Sequence, residues 1–311
     1  MNNKIDAVLT EVQKVIIGKN AVIEKVLMAM LADGHILLDD VPGVGKTTLA
    51  VALAKTMGLK YCRIQFTPDV LPSDIVGFSM YNQQTGGFTY MPGAVTSANL
   101  VLADEINRTS SKTQSAMLEA MEERQVTVDG IVHPLNNPFL VIATQNQVGA
   151  AGTQLLPQAQ LDRFLVKLTI GYPDKESEME IIRGRKTENP MESVQCAVSA
   201  EEILELQREV MSITMKDEVI EYITDLAKQS RENEYIQLGI IPRGAQAVSK
   251  MARACALLCG RDYVVPEDVQ EVFKDVCAHR ILLSQKARSE RITADAVLEE
   301  LLKEVPMPYS K

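Results

Sequence analysis

The sequence predicts an α/β fold in which a parallel five-stranded sheet is followed by a smaller, all-helical domain. Short apolar runs alternate with helical patterns up to about residue 186, and this alternation is typical of parallel sheets. From residue 200 onward only helical periodicity is present. Residues 187–198 interrupt the pattern around Asn189-Pro190 and are interpreted as a linker. We therefore expect one domain over 1–186 and a second over 199–311.

The composition is that of an ordinary globular protein. The 311 residues are 46% apolar, and the net charge of −9 disfavours a broad basic surface for nucleic acid. No apolar run is long enough to span a bilayer and no signal peptide is recognisable, so we expect a cytoplasmic location. The five cysteines are scattered, which predicts buried free thiols in a reducing compartment rather than a metal centre.

The N-terminal residues 3–33 predict two amphipathic helices joined by Ile16-Ile17-Gly18. This joint has two interpretations, which the sequence alone leaves open. It packs in the core, or Ile17 and Gly18 contact the flat apolar face of an adenine.

Residues 35–48 are the stretch around which the first domain is organised. An apolar run over 36–38 predicts a buried strand, and a helical pattern starts at 47. Between them lies Val41-Pro-Gly-Val-Gly-Lys-Thr47. A strand, a glycine-rich loop and a helix in this order form the context of a nucleotide phosphate loop.

Each residue type in this loop suits an anion. Gly43 and Gly45 let backbone N–H groups turn toward phosphate, where the helix N-terminus adds its dipole. Lys46 supplies a charge for the outer phosphates, and the Thr47 hydroxyl can ligate Mg²⁺. Asp40 departs from the usual pattern, which has glycine at that position. The predicted phosphate-binding residues are Pro42, Gly43, Val44, Gly45, Lys46, Thr47 and Thr48.

A second landmark is an acidic pair. Residues 61–66 predict a strand, residues 76–92 a hairpin, and the apolar run within Asn99–Glu105, residues 100–103, a buried parallel strand. Asp104 and Glu105 follow at its carboxyl end, the edge at which ligands bind in open α/β sheets. Asp104 there can hold Mg²⁺, and Glu105 can activate a water.

The rest of the first domain follows the same alternation. A helix is predicted over 110–123, a second hairpin over 125–137, and buried strands over 139–144 and 165–170. Gln145-Asn146 ends the first of these strands at the ligand edge. Asn146 either touches a γ-phosphate or caps a turn. In the second domain, helices are predicted over 200–211, 216–232, 242–259, 266–278 and 293–303.

These motifs together resemble the MoxR family of AAA+ ATPases. The similar segments cover most of residues 10–175, with one further match in the helical domain. They are Val41-Pro-Gly-Val-Gly-Lys-Thr47, Gly87-Phe-Thr-Tyr-Met-Pro-Gly93, Asp104-Glu-Ile-Asn-Arg108, residues 112–122, Ala143-Thr-Gln-Asn146, residues 156–164 and Gly239-Ile-Ile-Pro-Arg-Gly244.

The resemblance implies a three-layer αβα AAA+ core with a small α-helical lid. It implies that Asn146 senses the γ-phosphate, that Arg163 is an arginine finger, and that Arg243 is the lid arginine that reads nucleotide state. Arg108 and Arg124 remain competing finger candidates. The hairpins near 76–92 and 125–137 correspond to insertions that face a ring pore or a partner.

The resemblance also implies the activity and the assembly. We expect Mg²⁺-dependent ATP hydrolysis by a ring, hexameric in such proteins, that remodels or activates a protein client together with a von Willebrand A domain partner. The alternatives are a magnesium-chelatase-like motor subunit, a nucleic-acid-associated motor, and a nucleotide switch without turnover. The acidic balance disfavours the nucleic-acid motor, and the intact set of Lys46, Asp104 and Glu105 disfavours the switch.

Overall fold

The computed structural model describes residues 3–84, 86–145, 156–184 and 190–309. The strands are β1 (Ile36–Asp39), β2 (Tyr61–Gln65), β3 (Gly77–Asn82), β4 (Gly87–Pro92), β5 (Leu100–Asp104), β6 (Gln125–Val128), β7 (Ile131–Pro134), β8 (Leu140–Gln145), β9 (Val166–Leu168), β10 (Ile236–Leu238) and β11 (Leu282–Leu283). The helices are α1 (Asn3–Gln13), α2 (Asn20–Leu31), α3 (Lys46–Thr56), α4 (Pro72–Val76), α5 (Ser111–Glu123), α6 (Gln158–Leu161), α7 (Lys175–Gly184), α8 (Pro190–Ser193), α9 (Ala200–Ser212), α10 (Asp217–Glu232), α11 (Pro242–Leu258), α12 (Pro266–Cys277), α13 (Gln285–Ser289) and α14 (Ala294–Glu304).

The central sheet has five parallel strands in the order β2-β5-β8-β1-β9. Its register aligns the carboxyl ends, because Gln65 pairs with Asp104 and Asp39 pairs with Gln145. The polar residues that follow the apolar runs therefore meet along one edge. This confirms the predicted sheet and brings its chemistry to a single place.

Helices cover both faces of this sheet, which gives the three layers. Ile36 and Leu38 pack into one apolar cluster with α1, α2 and α3, whereas Leu37 packs into the opposite cluster with α5. Successive strand residues point to opposite faces, so a run that is apolar throughout is buried on both sides. The first cluster continues into the helical lid, where α11 packs on α2.

The lid is helical as predicted, and its helices begin where their caps indicate. The Ser199 side chain accepts a hydrogen bond from the Glu202 amide at 3.3 Å, and Glu202 accepts one from the Ser199 amide at 2.9 Å. This capping box fixes the start of α9. The lid also contains a short antiparallel pairing of β10 with β11. The sequence did not indicate this pairing, because two or three residues carry no periodicity.

Two predicted segments differ from their expected form, and the two predicted hairpins are present. The last strand of the sheet ends at Leu168 rather than at 170, because the amides of Ile170 and Gly171 bind the Asp40 carboxylate. In the predicted linker, the described residues 190–198 include helix α8 and two buried valines, Val194 and Val198. The two hairpins are present as β3–β4 and β6–β7. No helix in the described part of the chain is long and apolar enough to cross a bilayer.

Candidate active site

The phosphate loop runs from the end of β1 to the start of α3. Gly43 and Gly45 have φ angles of 88° and 96°, in the left-handed region where a side chain would be strained. Gly45 is the N-cap of α3, so the unpaired amides of the first helical turn open toward the loop. The Lys46 side chain is buried, and its Nζ atom donates to the Asp40 carbonyl oxygen at 2.9 Å.

Asp40, which departs from the usual pattern, has a structural role. Asp40 is 2% exposed, and its carboxylate accepts three backbone hydrogen bonds. Oδ1 accepts from the Val41 amide at 2.8 Å, and Oδ2 accepts from the amides of Ile170 and Gly171 at 2.7 Å each. The carboxylate therefore ties the beginning of the phosphate loop to the chain after β9. A glycine at this position cannot make that connection.

The acidic pair lies at the end of β5, between β2 and β8. Asp104 accepts a hydrogen bond from the Thr144 hydroxyl at 2.6 Å. It also forms an ion pair with Arg63, whose Nη2 atom is 2.6 Å from Asp104 Oδ2. Glu105 has a φ of 57°, and its Oε2 atom accepts from Gln65 at 3.0 Å and from Arg108 at 2.7 Å. Both carboxylates are thus held by polar side chains of neighbouring elements.

These groups line one cleft of about 400 Å³, here called the phosphate cleft. Its lining residues are Pro42, Gly43, Gly45, Lys46, Thr47, Thr48, Arg63, Gln65, Asp104 and Glu105. Burial lowers the pKa of Lys46, and the nearby Asp40 and Asp104 carboxylates act in the opposite direction. The cleft combines a buried amine, a helix N-terminus and two carboxylates, which is the set of groups that a triphosphate with a divalent cation requires.

The donor set also fits Mg²⁺. The Thr47 hydroxyl and the Asp104 carboxylate offer hard oxygen ligands in the same cleft. Asp104 already has a cation, the Arg63 guanidinium, as its partner. The carboxylate is therefore placed to bind positive charge.

Arg63, Gln65 and Thr144 are site residues that the sequence reasoning missed. A signal was present for two of them. Arg63 and Gln65 alternate on one face of β2, a strand whose other residues are mostly apolar. Since β2 pairs with β5, their side chains reach the acidic pair. Thr144 gives no comparable signal, because a threonine at a strand end is common.

Several predicted site residues do not line the phosphate cleft or lie outside the described residues, and their roles stay predictions. Val44, Ile17 and Gly18 are not among the lining residues of the phosphate cleft. The joint at 16–18 approaches the loop through Ile16 instead, whose Cδ1 atom lies 4.0 Å from where a Cβ of Gly45 would be. Asn146 lies outside the described residues.

Arg163 and Arg243 meet in a second pocket, at the amino ends of the strands. Arg163 Nε is 2.7 Å from Glu122 Oε2, and Arg243 Nη1 is 3.1 Å from Glu122 Oε1. The pocket measures about 320 Å³ and lies between α5, the segment before β9, and the lid helix α11. We call it the arginine pocket; its charged residues are Asp33, Glu122, Arg124, Asp162, Arg163, Arg243, Lys250 and Arg280.

Buried polar groups fix the walls of the arginine pocket. Arg280 donates to Asp162 Oδ1 at 2.9 Å and to the Phe164 carbonyl oxygen at 2.7 Å. His35 accepts from the Val141 amide at 3.1 Å and lies 3.0 Å from the Met121 carbonyl oxygen. Burial lowers the pKa of His35 to about 3, so the ring is neutral at physiological pH.

The two competing arginines make different contacts. Arg124 donates to the Phe139 carbonyl oxygen and is paired with Asp33 at 2.9 Å, so it ties the end of α5 to the sheet. Arg108 is paired at 2.7 Å with Glu105, which lines the phosphate cleft of its own chain. Neither Arg108 nor Arg124 forms a described ion pair with Glu122, the residue that pairs with Arg163 and Arg243.

Comparison with known proteins agrees with this arrangement. Residues 35–166 match the profile of the ATPase family associated with various cellular activities (AAA), and residues 228–301 match the AAA lid domain. The chain is 47% identical to the uncharacterized protein YeaC of Bacillus subtilis, over 96% of this chain and 93% of that protein. It is 38% identical to Chaperone MoxR1 of Mycobacterium tuberculosis, over 98% of this chain and 82% of that protein. The chain belongs to the MoxR family of AAA+ ATPases.

A solved structure supports the MoxR fold directly. The crystal structure of a protein from Cytophaga hutchinsonii ATCC 33406 is 43% identical and superposes with a TM-score of 0.90. The match covers 99% of this chain and 96% of that one. The predicted family, the three-layer AAA+ core and the helical lid are thereby confirmed.

One cluster in the MoxR lid carries chemistry that the family match does not explain. Cys255, Cys259 and Asp268 place three candidate metal-ligand atoms within 4.8 Å of one another. Arg261, however, contacts both oxygens of Asp268, at 2.7 and 2.5 Å. Burial also raises the pKa of Cys255, which disfavours the thiolate that a metal needs. The cluster is best described as an ion pair beside two thiols.

Proposed function

We propose that this MoxR-family chain is a Mg²⁺-dependent ATPase that assembles into a ring, hexameric by family resemblance, in which each active site is shared by two subunits. The observation that carries this proposal is the separation of the phosphate cleft from the arginine pocket. Lys46, Asp104 and Glu105 lie at the carboxyl edge of the sheet, and Arg163 with Arg243 lies at the amino edge.

The distance between the edges supports action on a neighbour. A parallel strand rises about 3.3 Å per residue, so the strands of three to six residues hold the two edges roughly 10–20 Å apart. Arg163 cannot reach across the sheet to the phosphate cleft of its own chain. In a head-to-tail ring, the arginine pocket of one subunit faces the phosphate cleft of the next.

Within the cleft, the chain's residues would divide the work as follows. The loop amides and Lys46 bind and orient the β- and γ-phosphates. Thr47 and Asp104 would hold Mg²⁺, which neutralises phosphate charge when bound. Glu105 accepts a proton from the attacking water. Its present hydrogen bonds to Gln65 and Arg108 must rearrange for that step.

The two arginines would complete the site from the adjacent subunit. An arginine that stabilises charge in a phosphoryl-transfer transition state contributes about 10³- to 10⁵-fold in rate. Because Arg163 and Arg243 share Glu122, we propose that both act on the neighbour's nucleotide. Hydrolysis would then depend on assembly, and the position of the lid would depend on the neighbour's nucleotide state.

The exposed hairpins support a protein client. Tyr81 and Phe88 are 55% and 77% exposed at the end of the β3–β4 hairpin, with ring centroids 5.6 Å apart. Tyr90 stacks on His133 of the second hairpin at 3.7 Å, so the two hairpins are in contact. We propose that they contact the client, and that a von Willebrand A domain protein assists, as the family resemblance implies. One relative is named a chaperone.

The experiment that tests the shared site mixes two inactive variants. Arg163→Ala removes the finger, and Glu105→Gln removes the base. In a randomly mixed ring, about a quarter of the interfaces pair an intact Glu105 with an intact Arg163. We expect turnover to reappear on mixing, and wild-type specific activity to rise with protein concentration. A flat concentration dependence together with no recovery would contradict the shared site.

A further inference from the structure

A single carboxylate joins the two arginines of the arginine pocket. Glu122 Oε2 is 2.7 Å from Nε of Arg163, and Glu122 Oε1 is 3.1 Å from Nη1 of Arg243. The two arginines come from distant parts of the chain: Arg163 precedes β9, and Arg243 lies in the first turn of α11. Glu122 is therefore the point at which the core arginine and the lid arginine are held together.

The position of Glu122 near the C-terminus of α5 explains why this carboxylate needs cationic partners. It is the penultimate residue of α5, where the helix dipole disfavours a carboxylate. Two guanidinium groups placed close together also repel one another. The shared ion pair relieves both effects at once, because each arginine compensates the carboxylate and the carboxylate lies between the arginines.

The geometry leaves the arginines available for a second anion. Among the described residues, Arg163 forms its ion pair through Nε, which leaves both of its terminal nitrogens for another acceptor. Arg243 uses Nη1 toward Glu122 and Nε toward Asp162, at 3.5 Å, so its Nη2 remains. A contact of this kind orients a guanidinium without using all of its donors.

The other acceptor of this pocket is fixed by the core. Asp162 is 15% exposed and is held at 2.9 Å by Arg280, whose side chain is 3% exposed. Arg280 in turn donates to the carbonyl oxygens of Phe164 and Leu165, at 2.7 and 3.0 Å. Asp162 can therefore position Arg243, but it forms no described ion pair with Arg163. Of the two acids, Glu122 alone contacts both arginines within the described chain.

We infer that Glu122 is a positioning residue that pre-organises Arg163 and Arg243 as one clamp for the triphosphate bound by the neighbouring subunit. The inference rests on the proposed function, because it requires both arginines to act between subunits. Without the shared carboxylate, the two cations separate and sample other rotamers, and they must be ordered again in each transition state. The effect should appear in turnover and not in nucleotide binding.

The test uses Glu122→Gln, with Glu123→Gln as the matched control. Both variants lose one negative charge at adjacent positions, but Glu123 is exposed and outside the arginine pocket. We expect E122Q to lower kcat about tenfold, with KM and the affinity of the chain for ATP within about twofold of wild type. E123Q should match wild type within about twofold. The Glu122 side chain is 35% exposed and glutamine has its shape, so we expect an unchanged thermal melt.

A second measurement separates positioning from a general structural role. E122Q keeps its own Glu105, and the inactive Glu105→Gln chain keeps a fully positioned arginine pair. Adding E105Q to an equal amount of E122Q should raise turnover per total chain about two- to threefold above E122Q alone, because some interfaces then combine both intact halves. Adding E105Q to E123Q should lower turnover.

Each outcome decides the inference separately from the proposed function. If R163A and E105Q complement each other but E122Q has the wild-type kcat, the proposal of a shared site stands and the proposed positioning role of Glu122 is wrong. A kcat above wild type would show that the ion pairs with Glu122 keep Arg163 and Arg243 from acting, and this result would also overturn the inference. A misfolded E122Q chain would give no gain with E105Q, which again counts against positioning. If R163A and E105Q do not complement, the proposed function itself fails.

Discussion

The phosphate cleft and the arginine pocket lie at opposite edges of one sheet, and they are built in opposite ways. The phosphate loop of the cleft is made mainly of backbone groups, namely two glycines with positive φ and the amides of a helix N-terminus, and a buried carboxylate fixes its start. The arginine pocket is made of long side chains that are held by two acids. The cleft is arranged to bind an anion by itself, whereas the pocket offers cations to something outside its own chain.

This difference separates binding from turnover. Backbone groups have little freedom to lose, so the cleft can bind a nucleotide in a single chain. Arginine side chains lose much more rotamer freedom when they are ordered, and they act most effectively where charge develops in the transition state. We therefore expect substitutions in the phosphate loop to change the affinity for ATP, and substitutions of Arg163 or Arg243 to change turnover with little effect on that affinity.

The largest expected effect on nucleotide binding is that of Lys46→Ala. The Lys46 amine is buried in the loop, and its removal takes away the cation that we propose binds the outer phosphates. We expect the ATP affinity of the chain to fall more than about 100-fold, since hydrogen bonds to charged groups in such sites are strong. Isothermal calorimetry on dilute protein measures this without requiring assembly.

The control for this variant is Lys55→Ala. Lys55 lies in the last turn of the same helix and donates to the Met191 carbonyl oxygen at 2.8 Å, away from the cleft. Its affinity for ATP should match wild type. If Lys46→Ala bound ATP normally, the assignment of the phosphate loop would be wrong.

A smaller and more selective effect is expected for Arg243→Ala. If the lid arginine acts on the neighbour's nucleotide, kcat falls by about 10- to 100-fold, while the ATP affinity of the dilute chain stays within about twofold. The reason is that Arg243 lies with Glu122 and Asp162 at the amino edge, far from its own cleft. An affinity loss in dilute protein equal to the loss in kcat would instead place Arg243 in its own active site.

The same comparison explains how far the sequence could predict the molecule. The phosphate loop and the acidic pair are local patterns, because strand, turn and helix signals stand beside the residues that carry the chemistry. The fold class followed from the same signals. The meeting of Arg163 with Arg243 has no local signal, since 80 residues and several packed helices separate them along the chain. Family resemblance named these two arginines, but it did not indicate that Glu122 joins them.

Asp40 and Arg63 show the other limit of prediction. A carboxylate in a phosphate loop appears unfavourable when only the loop is considered. Its partners are amides that follow β9, about 130 residues later, and only the folded chain brings them together. From the sequence alone, Arg63 is expected to be an ordinary exposed residue of a strand. In the folded chain, the pairing of β2 with β5 brings it beside Asp104. The roles of Asp40 and Arg63 therefore follow from contacts in the folded chain and not from a local sequence pattern.

The smallest expected effect on catalysis, and a clear effect on stability, belongs to Arg124→Ala. Arg124 lines the arginine pocket, but its guanidinium donates to the Phe139 carbonyl oxygen and to Asp33. Removing it takes this donor from the part-buried Phe139 carbonyl oxygen and breaks the ion pair with Asp33 at the end of α5. We expect the free energy of unfolding to fall by about 2 kcal/mol. Urea denaturation followed by circular dichroism measures this loss.

Turnover distinguishes Arg124 from the proposed finger. Per folded chain, Arg124→Ala should keep kcat within about threefold of wild type, whereas Arg163→Ala should lose about 10³-fold with little change in stability. The two variants remove the same group from the same pocket, so each is the control for the other. If Arg124→Ala abolished turnover in a stable chain and Arg163→Ala did not, the finger would be Arg124. The arginine pocket would still face the neighbouring subunit, but the proposal that Glu122 positions the finger together with Arg243 would then be wrong.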